Sequence, residues 1–454
     1  MISHLKEFLH KSRMAAYESR HRESAAICVA LVAIITILSA IERTKHMCGG
    51  YLIMLLLLMA LPVRAEIPPE SVNLTTVLNL ARKASPHLAL EQQKIAIARA
   101  ERRTAGAYPN PTVSYGYSHQ PNAFTNYEGR KAQEISVEQP LLIAGQRSAH
   151  IEAAKRNISA AQARFDAYGN QLAADAGVAF ITLLAAQKKR AALTEGMLEL
   201  RHLRNIVAGR QESGMASQYD LLRVDVELAA WQTRSAQADA ELVSHQVQLA
   251  NLLGFPDWKP HGTGELFPLN VDVTNAGEAN KNPDLIAALQ EETTARAYAE
   301  VAYRERFPGV SLTAGRFWTH APFGATNTIG ITVEVPIFET RGGAFDRAKA
   351  EEQSASLRRH LIHAEAQTEE RRYSTLVIQQ MAALDHFHSQ LAPRLPGLKQ
   401  MAEAAYQLGK SSIVELLDAT RMRYETQLNH LELLSSLIEA QLRLQAVRGD
   451  LAVD

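Results

Sequence analysis

The sequence predicts a mainly α-helical protein with a small β part, in which one strand-and-helix plan is built twice. Three observations lead to this prediction. Alanine, leucine, glutamine, glutamate and arginine dominate while aromatic residues make up only 6%, a composition that favours long helices. Two stretches of the chain show the period-two alternation of β-hairpins. A helix–glycine–helix pattern occurs at Gly214 and again at Gly409, which is typical of an internal repeat.

The net charge points to no particular class of partner, because the 48 basic and 48 acidic residues balance. A neutral chain gives no reason to expect nucleic acid or a strongly acidic partner. Both cysteines, Cys28 and Cys48, lie near the start of the chain.

Residues 1–65 are interpreted as a leader. The apolar run from Tyr51 to Pro62 is short for a transmembrane helix, and the small residues before a cut after Ala65 indicate a secretory signal peptide. Met47 then fits as the true start. The alternative is that the apolar run Ala25–Ile41 serves as an inner-membrane anchor. With the cut after Ala65, the mature chain contains no cysteine for a disulfide or a lipid anchor.

The first structural repeat is predicted over residues 66–253. Leu74 to Ala107 is helical, with an early turn at Pro86, and residues 111–140 form a β-hairpin that Pro140 ends. Alternation places these apolar side chains of the hairpin on one face: Val113, Tyr115, Tyr117, Ile135 and Val137.

A very long helix follows, from about Gln146 to Gln211. Its apolar residues step by threes and fours: Ile151, Ala154, Ile158, Ala161, Phe165, Tyr168 and Leu172. At about 1.5 Å per residue such a helix approaches 100 Å, which no compact domain needs. The chain turns at a tip near residues 209–216 and a second helix returns to about Leu253.

Residues 254–282, rich in proline, glycine and asparagine, are interpreted as an equatorial linker. The second repeat, 283–454, carries a β-hairpin at 308–337 and a tip near 407–412. In its long helix Pro393 and Pro396 should bend or loosen the backbone. The apolar face of its hairpin comprises Val310, Leu312, Ile329, Ile331 and Val333.

The second tip explains how the chain reverses. Gly409 can adopt a positive φ, and Ser412 with Glu415 is spaced for a capping box of the next helix. Ser217 and Asp220 repeat this spacing after Gly214. Glu415 and Asp418 are three apart and share a face. On these residues alone, a polar helical hairpin with solvated acids is the favoured interpretation.

Four strands cannot close a barrel, and open sheet edges are not tolerated in hydrocarbon. If the strands lie in a membrane, several chains must contribute to one wall. A trimer would give a transmembrane β-barrel of about twelve strands, within the known range. The long helices would then project from one side as a helical barrel.

These motifs resemble the TolC-like outer-membrane efflux proteins over Leu74 to Leu451. The most specific stretch is Leu395-Pro396-Gly397 followed by AAYQLGKSSIVELLDATRMRYETQ, supported by the repeat and by the strand end Val-Glu-x-Pro. NPTVSYGY and GMASQYDLLRVDVELA are similar to the cobalt–zinc–cadmium branch, which serves heavy-metal RND efflux.

The resemblance implies a homotrimeric exit duct in the outer membrane, with helices in the periplasm. It implies a periplasmic membrane-fusion adaptor, an inner-membrane RND pump, and heavy-metal cations as cargo. Two alternatives stay open. One is that the channel serves multidrug efflux or type I protein secretion. The other is that the chain is a soluble coiled-coil scaffold without membrane strands. The implied periplasmic gate comprises Glu415, Asp418, Asp220 and Arg223. The implied adaptor-docking tips comprise Gly214, Met215, Gly409 and Lys410.

No catalytic or cofactor motif is found in the sequence, so we expect neither an enzyme nor a bound cofactor. His386 and His388 are two apart on a helix and point to different sides, which makes them poor metal-ligand partners. His360 and His363 share a face and could bind a metal only weakly. The sequence therefore predicts no metal site.

Overall fold

The structure is a computed structural model that describes residues 68–119, 131–273, 281–319 and 324–451. The predicted leader, 1–65, lies outside the described residues. The helices are α1 (Leu74–Lys83), α2 (Pro86–Ala105), α3 (Gln146–Glu212), α4 (Gln218–Leu253), α5 (Pro283–Arg304), α6 (Gly342–His386), a π-helix (Phe387–Leu391), α7 (Leu395–Gln407) and α8 (Ile413–Arg448). The strands are β1 (Ser71–Val72), β2 (Thr112–His119), β3 (Lys131–Leu141), β4 (His261–Gly262), β5 (Gly309–Thr319) and β6 (Ala325–Glu334).

The long helix α3 has 67 residues and follows the predicted bounds to within one residue. It starts after Gly145, whose φ of +77° lies in the left-handed region that glycine tolerates. Arg341 takes the equivalent position before α6 with a φ of +54°. Among the described residues α3 is long and apolar enough to cross a membrane, but 67% of its most apolar window is buried in the protein, as in a core helix.

The two hairpins form one antiparallel sheet in the order β2–β3–β5–β6. The prediction that Pro140 ends its strand is wrong, since β3 continues to Leu141 and Pro140 pairs with Ser311 of β5. The pairing of β2 with β3 stops at Thr112 and Glu138. At Pro140, β3 therefore has a neighbour on one side only, where a residue without an N–H is tolerated.

The main hydrophobic core lies where α1, the middle of α3 and the C-terminal half of α8 meet. The segment predicted as a linker belongs to this core. Trp258 is 3% exposed and donates its indole N–H to the Pro69 carbonyl at 3.0 Å. The Gln441 side chain of α8 bonds both the N–H and the C=O of Leu269, at 2.7 and 2.8 Å. These contacts fix residues 254–273 against the helices, which their composition did not predict.

The helix before the second tip is loosened near its prolines, as predicted. α6 ends at His386, and the π-helix follows before Pro393 and Pro396. The Ala392 N–H donates to the Phe387 carbonyl at 3.0 Å, a bond that spans five residues instead of four. The extra residue rotates the side chains of this turn relative to those of α6.

Candidate gate and docking tips

The first tip joins α3 to α4. Gly214 has a φ of +71°, and the Met215 N–H bonds back to the Arg210 carbonyl at 2.8 Å, which closes the end of α3. Ser217 and Asp220 form a complete capping box at the start of α4, with bonds of 3.1 and 2.8 Å. Met215 itself is 65% exposed, so the tip presents an apolar side chain to solvent.

The second tip repeats this geometry between α7 and α8. Gly409 has a φ of +68°, and the Lys410 N–H bonds the Ala405 carbonyl at 2.9 Å. Ser412 accepts from the Glu415 N–H at 3.3 Å. In the described residues the Glu415 carboxylate does not return that bond, so the predicted capping box is only half formed.

Lys410 is exposed at this tip, and Leu408 beside it is 69% exposed. The second tip therefore also presents an apolar side chain, one residue before its glycine. The sequence analysis considered the residue after each tip glycine, Met215 and Lys410, and therefore did not identify Leu408.

Arg210 connects the two tips. Its guanidinium lies at the end of α3 and donates to the carbonyls of Tyr406 and Gln407 at 2.9 and 3.2 Å, where α7 ends. It also lies 4.9 Å from the centre of the Tyr406 ring. A cation at the C-terminal end of a helix can bind its last carbonyls and interacts favourably with the helix dipole. The only sequence signal for this role was a basic residue in the last turn of α3.

The two residues predicted as gate acids, Glu415 and Asp418, lie on the exposed face of α8. Glu415 and Asp418 are exposed, whereas Ile413 and Leu416 of the same turns are 2% exposed and face the core. Among the residues that the structure describes, neither carboxylate side chain forms an ion pair or hydrogen bond. Both charges of one chain are therefore free to face further charges.

Asp220 and Arg223 are held within their own helix. Asp220 accepts from the Ser217 N–H, and Arg223 donates to the Tyr219 hydroxyl at 3.1 Å. In the described part of this single chain, no direct hydrogen bond or ion pair joins them to Glu415 or Asp418. Their predicted role in linking the tips stays a prediction.

Behind the tips, four helices pack around Trp231 of α4 and Tyr424 of α8. These rings are 1% and 0% exposed and meet edge to face, with centroids 5.1 Å apart. Trp231 lies directly over Gly196 of α3, where an added Cβ would be 2.3 Å from the indole Cζ3. Glycine at this position thus allows α3 and α4 to approach closely.

Glu199 of α3 is the centre of a polar network beneath the tips. Its carboxylate forms an ion pair with Arg423, accepts from the Tyr424 hydroxyl at 2.9 Å, and lies 3.4 Å from the Lys399 ammonium. Only 10% of the Glu199 side chain is exposed. Burial, followed by the hydrogen bond to Glu199, raises the pKa of Tyr424. The network joins α3, α7 and α8, and the sequence reasoning missed it.

A second network joins α4 to α8. Glu227 accepts from Arg421 Nε at 3.3 Å and from the Trp231 indole at 3.0 Å. Burial of Glu227 opposes its ionisation, but the bonds from Arg421 and Trp231 and the nearby charges of Arg421 and Arg234 outweigh it and lower its pKa. Arg421 is one turn from Asp418, so this ion pair fixes the helix face that carries the gate acids.

The strand register places all ten predicted apolar residues on one face of the sheet. Directly paired residues of antiparallel strands share a face, and the register pairs Val113 with Val137 and Tyr115 with Ile135. Most of this face is exposed, and Ile329 reaches 84%. Between β3 and β5 the face continues through the pairs Val137 with Ala314 and Leu141 with Val310. Between β5 and β6 it continues through Val310 with Val333, Leu312 with Ile331 and Ala314 with Ile329.

The opposite face of the same strands is mostly polar, with Phe317 as its largest apolar residue. It carries serine, threonine, glycine and glutamate, for example Ser114, Ser136 and Glu138. A four-stranded sheet that exposes one apolar and one polar face, and whose edge strands β2 and β6 lack outer partners in the described chain, is not a complete fold by itself.

An open sheet of this kind, joined to one helix of about 100 Å and to shorter helices that turn at paired tips, is the architecture expected of a TolC-type channel subunit. The sequence agrees, since it matches the outer membrane efflux protein family over residues 77–255 and 278–450. The chain belongs to this family. It is therefore an outer-membrane efflux channel protein and not an enzyme.

Two relatives carry the names of metal-resistance proteins. The chain is 25% identical to the nickel-cobalt-cadmium resistance protein NccC of Alcaligenes xylosoxydans xylosoxydans, over 71% of this chain and 72% of that one. It is 26% identical to the cobalt-zinc-cadmium resistance protein CzcC of Cupriavidus metallidurans, over 70% and 78%. The predicted resemblance to the heavy-metal branch is confirmed by these matches.

Solved structures show the same fold. The channel CusC superposes with a TM-score of 0.70 at 19% identity, over 83% of this chain and 92% of that one. The outer-membrane channel OprN gives a TM-score of 0.71 at 18% identity, over 83% and 89%. The predicted mainly helical fold with a small β part is confirmed.

Proposed function

We propose that the chain forms a homotrimeric exit duct, which receives heavy-metal cations from an inner-membrane RND pump through a periplasmic adaptor and exports them passively. The sheet supports the trimer most directly. Its two unpaired edges and its exposed apolar face need neighbours in lipid, and three four-stranded sheets complete a barrel of about twelve strands. The helices then extend into the periplasm.

The exposed tips support adaptor docking. Met215 and Leu408 present apolar groups at the two turns, 65% and 69% exposed. Gly214 and Gly409 hold these turns in the left-handed backbone that lets them project. Lys410 adds a positive charge at the second tip. Exposed apolar groups ringed by polar ones are typical of protein interaction surfaces.

The gate acids support a cationic cargo. Three copies of Glu415 and Asp418 around a narrow axis would form a ring of negative charge, and such rings attract cations. Asp220, which is half-buried, and Arg223, which is exposed, lie on the neighbouring hairpin, where we propose that they form polar links between tips. The names of the two metal-resistance relatives point to the same cargo.

Purified protein in detergent is expected to run as a trimer and to conduct ions in a planar bilayer. The reason is that, in lipid, only a closed barrel gives hydrogen-bond partners to the backbone groups at the edges of β2 and β6. Mass measurement of the protein–detergent complex and single-channel recording check both points. A folded, lipid-embedded monomer, or well-folded trimers without conductance, would contradict the proposal.

The double variant Glu415→Ala/Asp418→Ala is expected to weaken block of the channel by multivalent cations at least tenfold. Both side chains are exposed and unpaired in the described chain, so their removal deletes charge without disturbing the core. The measurement is the half-blocking concentration of a trivalent cation in a planar bilayer.

A matched control is Glu351→Ala, an exposed acid of α6 paired only with exposed Arg347 in the described residues. This variant should be blocked like the wild type. An unchanged half-blocking concentration in the double variant would remove Glu415 and Asp418 from the gate.

An organic cargo is the second candidate. The pyoverdine export outer membrane protein OpmQ of Pseudomonas putida is 25% identical over 84% of this chain and 86% of that one. A strain that lacks the protein separates the two candidates. Sensitivity to nickel, cobalt, zinc or cadmium alone supports metal export, whereas sensitivity to organic toxic compounds alone supports the second candidate.

A further inference from the structure

Two imidazoles meet where the π-helix passes α8. The Phe387 ring stacks on the His430 ring with centroids 4.3 Å apart and planes 3° from parallel. The next residue, His388, places its ring centroid 5.3 Å from that of His430. His388 lies on the π-helix and His430 on α8, so the pair joins two separate elements of the second repeat.

The π-helix produces this pair. Its extra residue changes the direction in which His388 points, and the ring packs toward α8 instead of continuing the surface of α6. His386, the partner considered from the sequence, takes no part in these ring contacts. Turns of π-helix are often found at functional sites, because they redirect side chains at a cost in backbone regularity.

One nitrogen of the pair lacks a partner. His430 Nε2 is buried from solvent and has no hydrogen bond among the described residues. A buried polar atom without a partner is destabilising, and most such atoms in folded proteins are satisfied. His388 is exposed, so its ring can turn toward His430 from the solvent side.

The centroid separation of the two rings, whose planes are 67° apart, can be compared with that of two imidazoles bound to one metal ion. A Zn–N bond of about 2.0–2.1 Å puts the ion roughly 3.2 Å from the centre of a coordinating imidazole, so two imidazoles at a tetrahedral angle have centroids about 5.2 Å apart. The observed separation is 5.3 Å. Imidazole nitrogen is a preferred ligand of zinc, nickel and copper.

We propose that His388 and His430 form a two-histidine site for a divalent transition-metal ion such as Zn²⁺, with water completing the coordination. In the described residues no group of three or more histidine, cysteine, aspartate or glutamate side chains could hold a metal. The site therefore binds weakly and releases readily. Metal binding at this site does not depend on the proposed function, whereas a role of the site in cation export rests on it.

The other histidine pair provides a matched control. His360 Nε2 lies 3.1 Å from Arg359 Nη2, and His363 Nε2 lies 3.5 Å from Gln367 Nε2, so both nitrogens already have neighbours on their own helix. Both residues lie on α6, as His386 does, but neither faces an imidazole of α8 in the contacts described.

The test is a calorimetric titration with ZnCl₂. The sample is the full, untagged chain in detergent, treated beforehand with a chelator. We expect one zinc site per chain that depends on both histidines. His388→Ala should weaken it at least tenfold, whereas the control His360→Ala/His363→Ala should bind like the wild type. Zinc X-ray absorption of the loaded wild type should show two imidazole ligands, which a merely structural pair would not give.

Absence of saturable zinc binding in the wild type, or unchanged affinity in His388→Ala, would overturn the site. His430→Ala removes the ring that stacks on Phe387 and can impair folding, so the exposed His388 variant decides. Zinc binding is measured independently of ion conduction through the channel. Zinc binding with no conductance would reject the exit duct and keep the site, and conductance without zinc binding would do the reverse.

Discussion

Glu199→Ala is expected to destabilise the protein by about 3–5 kcal/mol, the cost of removing one partner of a buried ion pair. The Glu199 side chain is 10% exposed and its partner Arg423 is 16% exposed. The variant leaves Arg423, Lys399 and the Tyr424 hydroxyl without their shared acceptor. Because these groups come from α7 and α8, both helices of the second hairpin should loosen from α3.

The measurement is the temperature of half-unfolding in detergent, followed by circular dichroism at one fixed heating rate. Glu195→Ala is the matched control, since Glu195 lies one turn earlier on α3 and is exposed. Its effect should stay within about 0.5 kcal/mol. If Glu199→Ala unfolds at the same temperature as Glu195→Ala, the network does not hold the tip helices together.

Gly196→Ala is expected to destabilise the tip bundle by about 1–3 kcal/mol, through overpacking of a filled core. The added Cβ would lie 2.3 Å from Trp231 Cζ3 and 2.9 Å from Cη2. Trp231 is 1% exposed and contacts Tyr424, so a shift of the ring away from position 196 would disturb a buried aromatic contact. The clash therefore opposes the higher helix propensity of alanine, worth up to about 1 kcal/mol.

Gly209→Ala tests the same substitution on the same helix without the clash, because nothing lies within 4 Å of a Cβ added there. It should be neutral or stabilising by up to about 1 kcal/mol. Thermal unfolding of the two variants under identical conditions is the measurement. Equal unfolding temperatures would show that Trp231 does not need glycine at position 196. Recovery in Gly196→Ala/Trp231→Leu would locate the clash in the indole ring.

Local patterns predicted the secondary structure closely. The long helix α3 and its return helix α4 were expected from apolar periodicity and from Gly214, and they end within a residue of the predicted bounds. The apolar face of the sheet was expected from alternation and is confirmed by register. The prediction that Pro140 ends its strand was wrong. In sequence, a proline that ends a strand cannot be distinguished from a proline inside a strand whose neighbour on one side has already ended.

The candidate site was only partly predictable. The turns at Gly214 and Gly409 have a local signature, since a positive φ followed by a serine cap involves neighbouring residues only. Glu199 has no such signature, and Arg210 has only its position as a basic residue in the last turn of α3. Their partners are Arg423, Tyr406 and Gln407, which are far away in the chain.

The sequence by itself determined that this chain is a doubled strand-and-helix protein with too few strands to close its own sheet. Helix and strand periodicity and turn residues depend on residues that are close in sequence, so the sequence alone is enough to recognise them. Only the tertiary structure decided which charges are buried together, that residues 254–273 pack on the core, and that His388 meets His430 instead of His386. Those outcomes depend on how helices distant in sequence come side by side, and the energies of burial and ion pairing act on that proximity.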